Sequence, residues 1–312
     1  MEGKKKSSES TYPCSSLMEG LSKFSDFATA RIPPGPQFIP FNWAINSLKG
    51  LTGVYLFLIM LYHDNFSLGA WVYFTVHGSY GMFWILKDQI FPDSKFGVKI
   101  TLMSCTLPYI VMYIYLLPGY RMLSTHSGND PSIGRIIACY VSYVLGIFLM
   151  IGSDLQKHFS IKYNPGLINT GFFKMTRNPN YLGEILIYNS FAIIVARMEF
   201  WTILFYAYTI IFGIRMLVKD YSLSRKVGWK EYDSYLLLPK FSTSTVDNIV
   251  IYMFIAFGIF SMYITGGILP FLKELKSILI YQDSEHFCSL VRSSDAYGYL
   301  TNYISTYVSL IK

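Results

Sequence analysis

The chain has 312 residues, of which 52% are hydrophobic and only 14% charged, with a formal net charge of +7. Ordinary soluble domains carry about 25% charged residues, so the composition excludes a typical water-soluble globule and points to a membrane protein. The basic residues lie between apolar runs, which fits membrane topology and not nucleic acid. The four scattered cysteines form no CxxC pair, so neither a zinc site nor a disulfide framework is indicated.

Residues 1–40 read as a flexible cytosolic arm ending in the proline-rich "RIPPGPQFIP". No apolar stretch follows "MEGKKKSSESTYPCSS", so it is not a cleavable signal peptide. Glu2, Glu9 and Glu19 do not suit a mitochondrial presequence. Seven apolar runs follow, near 44–62, 68–86, 100–117, 136–152, 181–196, 199–216 and 248–270. About 20 apolar residues span a bilayer, and helices satisfy their own backbone there. The expected fold is therefore all-α, a polytopic bundle of about seven transmembrane helices over 41–270. The fifth and sixth runs form a tight hairpin turning at Arg197, and 271–312 are a C-terminal extension.

Charge orients this bundle. The arm and the segments after runs two, four and six hold 18 Lys and Arg, counting Arg215; the opposite side holds 7, and Lys49 lies within the first run. The positive-inside rule places the arm and those segments in the cytosol, or in the matrix if the membrane is the mitochondrial inner membrane. The endoplasmic reticulum is the first expectation. The polar connections 153–180 and 217–247 then share one face.

Three polar stretches meet on that face: "GSDLQKHF" (152–159), "TGFFKMTRNPNYLGE" (170–184) and "RMLVKDYSLSRKVGWKEY" (215–232). Pro179 suits the first turn of a helix, and Asn178 before it suits the cap. Arg177, Asn180, Tyr181, Glu184 and Tyr188 follow at steps of three and four and share one helix face. Gly183 permits close approach of a ligand or of a neighbouring helix. A helix N-terminus beside an Arg suits an anion. Glu184 can accept from an amide or hydroxyl, or pair with Arg215 or Lys219; a carboxylate near hydrocarbon needs a partner or a task. A snorkelling anchor with an internal ion pair is the simpler alternative.

"RNPNYLGE" resembles the RHPNY-G-D/E signature of a membrane superfamily that contains steroid 5-alpha-reductases, sterol reductases, and isoprenylcysteine and phospholipid methyltransferases. Asn178 stands where the signature has His. "DLQK", Asp154 to Lys157, and the ending "KDYSLSRKVGWKEYDSYLLLP" are similar to the reductase-like DUF1295 group. The methyltransferases carry a Glu-Glu pair where this chain has Lys219-Asp220. The resemblance spans about 150–240 and implies a cofactor site within 152–240. That site would bind NADPH through Asp154, Lys157, Arg177, Asn180, Tyr181, Glu184, Arg215, Lys219, Asp220, Arg225 and Tyr232, or alternatively S-adenosylmethionine. Arginine forks suit the phosphates of NADPH.

In 5-alpha-reductases a Glu and a Tyr of the N-terminal half serve the substrate. Here "HGSYGMFWILKDQIFPD" (77–93) puts His77, Tyr80, Gly81, Trp84 and Lys87/Asp88 on one helix face. Tyr80 is the candidate acid, with His77 or Asp88 its partner; the same stripe also reads as packing. His63, His77, His126, His158 and His286 show no metal-binding spacing, and no GxGxxG or Walker motif occurs. Three functions remain open. The first is an NADPH-dependent reductase of a C=C bond in a sterol, enone lipid or polyprenoid. The second is a lipid or prenylcysteine methyltransferase. The third is a non-catalytic subunit of a membrane complex, with protein partners met through 1–40 and 271–312.

Overall fold

The structure is a computed structural model whose described residues are 14–31, 34–125 and 130–264. Most of them are helical: α1 (Ser15–Ala30), α2 (Phe41–Tyr62), α3 (Leu68–Ile90), α4 (Leu102–Ser124), α5 (Ile133–Tyr163), α6 (Phe172–Met175), α7 (Pro179–Val195), α8 (Met198–Tyr206), α9 (Gly213–Leu223) and α10 (Thr245–Ile264). A short antiparallel ribbon pairs β1 (Ile39–Pro40) with β2 (Lys99–Ile100). The described residues up to Asn248 form one compact unit; a second begins at Ile249, and its described part is the body of α10. The expected extension 271–312 and the far end of the seventh run lie outside the described residues.

Each expected run coincides with a helix. Four rods are long and apolar enough to cross a bilayer: α2, α4, α5, and Met198–Leu223, in which α8 continues through a π-helical turn at Ala207–Phe212 into α9. α3 is as long as α4 but carries His77, Lys87 and Asp88, and α7 has only 17 residues. The apolar part of α10 is Thr245–Ala256. The fifth and sixth runs turn as expected at Arg197, after Ala196 takes a left-handed conformation with φ 53°.

Two expected boundaries shift. Residues 15–30 of the arm form α1, which packs on α9 and β2 and gives its Ala30 carbonyl to the Thr101 N–H at 3.2 Å. That part is therefore not a flexible arm. α5 has 31 residues, a length of about 46 Å, against a hydrocarbon core of about 30 Å. Nothing between Gly152 and Tyr163 breaks a helix, so "DLQK" lies within α5 and not in a loop after it.

Side-chain caps set the helix starts. Ser67, Thr101 and Ser132 accept from backbone N–H groups of α3, α4 and α5. Helix ends are also covered: the Asn65 amide donates to Leu123 O at 3.0 Å, and the Arg135 guanidinium donates to Ile194 O. The core joins Leu56 and Met60 of α2, Tyr73, Val76 and Tyr80 of α3, Met150 of α5, and Ile187 and Phe191 of α7. Trp43, Leu58, Tyr113, Val144, Phe148 and Phe205 point outward. An apolar belt of this kind belongs in lipid.

The most extensive helix-helix contact among the described residues is that of α5 with α7. A Cβ on Gly183 would lie 2.5 Å from Met150 N and 2.7 Å from Gly146 O. Gly183 thus serves the neighbouring helix, one of the two uses its sequence context allowed. Backbone atoms cannot yield as side chains do, so Gly183→Ala is expected to lower stability by about 1–3 kcal/mol. Thermal unfolding in detergent measures this. An unchanged melting temperature would show that the two helices separate without cost.

Candidate functional site

The three polar stretches do converge. Gln156 on α5 donates to Thr170 O at 2.9 Å and accepts from Phe172 N at 3.0 Å, closing the 164–171 loop onto the helix. Segment 173–178 is stitched to 232–240. Thr176 bridges Tyr235, Arg177 N donates to Tyr235 O at 2.9 Å, and Lys240 N donates to Met175 O at 2.7 Å. Tyr232 Oη donates to Phe173 O at 2.5 Å, and burial pushes this phenol up to about 12. Its proton is therefore kept in the folded state after an unfolded chain has lost it near pH 10.

Several expected cofactor residues prove to hold this framework. Arg177 Nε lies 3.2 Å from Asp220 Oδ1, within ion-pair range though not aligned as a hydrogen bond, and its guanidinium sits 5.2 Å over Trp229. Lys219 donates to the Arg177 carbonyl at 3.2 Å. Asp154 pairs with Lys87 of α3, and Lys157 with Asp93 at 2.5 Å. "DLQK" is thus a clamp between the ends of α3 and α5. Asn178 starts α7 without a side-chain cap; its amide donates instead to Leu236 O at 2.8 Å. Pro179 occupies the first turn as expected.

Other groups are left open. Asn178 Oδ1 and Asn180 Oδ1 are buried acceptors with no hydrogen-bond partner. One turn deeper, Glu184 makes no hydrogen bond or ion pair among the described residues, so the expected pairing with Arg215 or Lys219 is not formed. Its charge acts at longer range on Lys49, Tyr80, Tyr181, Tyr188 and Tyr208. Tyr181 stands edge-on to Phe212 at 5.0 Å. On α9, Arg215 is exposed and its charge reaches Tyr181 and Tyr188. Arg225, just beyond α9, lies 4.7 Å over the Tyr221 ring. Neither arginine joins an ion pair among the described residues.

In α3 the expected face is buried, but its pairing differs. Tyr80 contacts neither His77 nor Asp88 through its hydroxyl. It receives a 2.5 Å hydrogen bond from Lys49 Nζ of α2 and lies 3.3 Å from Tyr188 Oη. Asp88 accepts from Asn46 Nδ2 at 2.6 Å, and His77 Nδ1 bonds Tyr73 Oη at 2.9 Å. Lys49 was legible only as a charge inside the first run; its aim at Tyr80 is the feature that sequence reasoning missed. Spacing within α3 cannot name a partner on another helix.

Residues 95–236 match the model of the family described as "Protein of unknown function (DUF1295)". This is the group that "DLQK" resembles, and the match is consistent with the steroid 5-alpha-reductase-like superfamily to which the signature points. The match covers the three polar stretches and stops short of α2 and α3, which carry Lys49, His77 and Tyr80. No curated protein and no solved structure matches the chain.

The Lys87–Asp154 clamp gives a direct test. Removing one member of a buried ion pair strands the other, at about 3–5 kcal/mol, whereas replacing both with apolar groups is close to neutral. Lys87→Met and Asp154→Leu are each expected to melt well below the parent, and the double variant above either. Additive losses in the double variant would mean that the pair is not coupled.

Proposed function

We propose that the protein is a membrane-embedded, NADPH-dependent reductase acting on a C=C bond of a sterol, enone lipid or polyprenoid. The observation that carries this reading is the set of open polar groups on α7 and around α9. Asn180 Oδ1 is a buried acceptor with no hydrogen-bond partner, and Glu184 makes no hydrogen bond or ion pair among the described residues. Arg215 and Arg225 join no ion pair among the described residues. A dinucleotide offers the complementary groups: a carboxamide donor at its reactive end, hydroxyls between, and phosphates beyond. The residues present therefore fit the group, with Glu184 and Asn180 toward the carboxamide and Arg215 and Arg225 toward the phosphates. When bound, the nicotinamide supplies hydride. The chain's own contribution is to orient that end beside α3, where Tyr80 donates a proton.

A second reading rests on the same pair of charges. An unpartnered carboxylate and a nearby arginine also suit the ammonium and carboxylate of S-adenosylmethionine, so a lipid methyltransferase is the alternative. In both readings α3, α7 and α10 cross the bilayer with the four longer rods, making seven spans. The packing of α1 on α9 and β2 supports one face for the arm, 153–180 and 217–247. With the Lys/Arg bias, that face is cytosolic, and the endoplasmic reticulum is the proposed membrane.

Thermal shift in detergent with NADPH, NADH and S-adenosylmethionine tests the cofactor. Arg225→Glu is expected to weaken NADPH at least tenfold, about 1.4 kcal/mol, and NADH little, because only NADPH carries the 2'-phosphate. Equal losses would remove Arg225 from that role, and a shift with S-adenosylmethionine alone would select the methyltransferase.

Glu184→Gln separates ligand recognition from architecture. Because Glu184 has no ion-pair partner, the variant is expected to melt like the parent without nucleotide, while nucleotide affinity falls at least tenfold. The opposite pattern, a lower melting point and an unchanged nucleotide shift, would make the carboxylate structural.

A further inference from the structure

Lys49 is the other group without an assigned task. It lies on α2, nine-tenths buried, in a rod apolar enough to cross the bilayer. Its ammonium donates to Tyr80 Oη at 2.5 Å and sits 3.5 Å over the Trp84 ring. No carboxylate pairs with it among the described residues. Ionisable side chains at such depth are rare and mark functional sites. The backbone is shaped for this contact: a Cβ on Gly81 would lie 2.1 Å from Lys49 O, so α2 and α3 touch at the level from which Lys49 reaches Tyr80.

A second, independent observation points to a ligand. The Phe191 ring is the hub of an aromatic cluster, with the rings of His77, Tyr80, Tyr115 and Tyr188 between 4.2 and 6.3 Å from it. Within this cluster His77 Nε2 and Tyr115 Oη are buried without hydrogen-bond partners, and His77 is fully buried. Polar atoms so placed are costly unless something hydrogen-bonds them. Lys49 and Tyr80 bring donors to the same cluster, with the Lys49 amine held between the Tyr80 hydroxyl and the Trp84 ring.

We propose that Lys49 and Tyr80 form a site that stabilises negative charge on a ligand oxygen. Lys49 acts as the positioning residue: it fixes the Tyr80 hydroxyl and supplies the charge that balances an oxyanion. Donors held in advance where charge develops, away from water, are the strongest form of such stabilisation. The inference deepens the reductase reading and rests on it for the reaction. It concerns this chain's own residues, on helices outside the family match.

The test uses 2-naphthol, an apolar bicyclic phenol whose anion absorbs at longer wavelength than the neutral form, with the purified full chain in lipid nanodiscs near pH 7. The parent is expected to bind the probe and shift its spectrum to that of the anion. Lys49→Met, which keeps side-chain length without charge, is expected to lose at least tenfold in affinity and to show only the neutral spectrum. Lys49→Arg is expected to restore the anion, and Tyr80→Phe, which keeps the ring, to weaken it. Circular dichroism of each variant verifies the fold, and Tyr80→Phe alone decides the matter if Lys49→Met does not fold. A neutral spectrum in the parent, or an anion signal unchanged by Lys49→Met or by Tyr80→Phe, would overturn the proposal. NADPH-induced melting shifts on the same samples keep the two readings apart. An anion signal without any NADPH shift leaves the oxyanion site standing and removes the reductase.

Discussion

The backbone contact between α5 and α7 is the constraint on which the site depends. Gly146 and Gly183 face each other with no room for a Cβ on either. In lipid there is no hydrophobic force to bring two apolar helices together, so close van der Waals packing at small residues must do it. With that contact made, the residue after Gly183 has a fixed direction, and the Glu184 carboxylate acts electrostatically on Tyr80, Tyr181, Tyr188 and Tyr208. Gly81 does the same for the other wall by admitting the Lys49 carbonyl. Two glycine contacts, one per wall, define where the polar groups of the bundle meet.

Around that centre the structure treats charges in two ways. Lys87 with Asp154, Lys157 with Asp93, and Arg177 with Asp220 neutralise one another at the ends of α3, α5 and α9. Each pair joins elements distant in sequence, so the pairs register the helices as well as satisfy their charges. Lys49 and Glu184 are treated differently. They lie on different helices, interact at range, and do not touch. A sequence that pairs those six charges by contact, yet keeps Lys49 and Glu184 apart, leaves two opposite charges that a polar molecule can bridge in the proposed reading.

The sequence made the architecture legible because lipid imposes a simple rule. Apolar runs of span length became helices, and Pro179 marked the start of α7 as its missing N–H requires. The convergence of three polar stretches was also readable, since charge bias put them on one face. What could not be read was which polar group meets which. "DLQK" resembles a family segment, and its charges were assigned to a cofactor; the partners Lys87 and Asp93 lie more than 60 residues away, beyond any local pattern. Asn178 was expected to cap α7 because of its place before Pro179. The competing Leu236 carbonyl belongs to a loop whose path no spacing rule predicts. The helix in residues 15–30 was hidden because its polar face gives it no span-like hydropathy. Its apolar side, with Met18 buried, is spent on the bundle.

The same reasoning explains why Lys49 escaped notice. Read along α2, it is one charge in a run that is otherwise apolar enough to span, and a topology rule simply sets it aside. Its meaning depends on α3, where Tyr80 falls within reach only because Gly81 allows the helices to meet. A lysine there without a direct carboxylate is unfavourable for folding, since desolvation of the ammonium is offset only in part by the Tyr80 oxygen and the Trp84 face. An apolar residue of similar length would pack at least as well. The chain keeps the charge, and keeps it aimed at a hydroxyl whose other neighbour is Tyr188, on the helix that carries Glu184. That arrangement makes sense as a device for an oxygen that is not part of the protein.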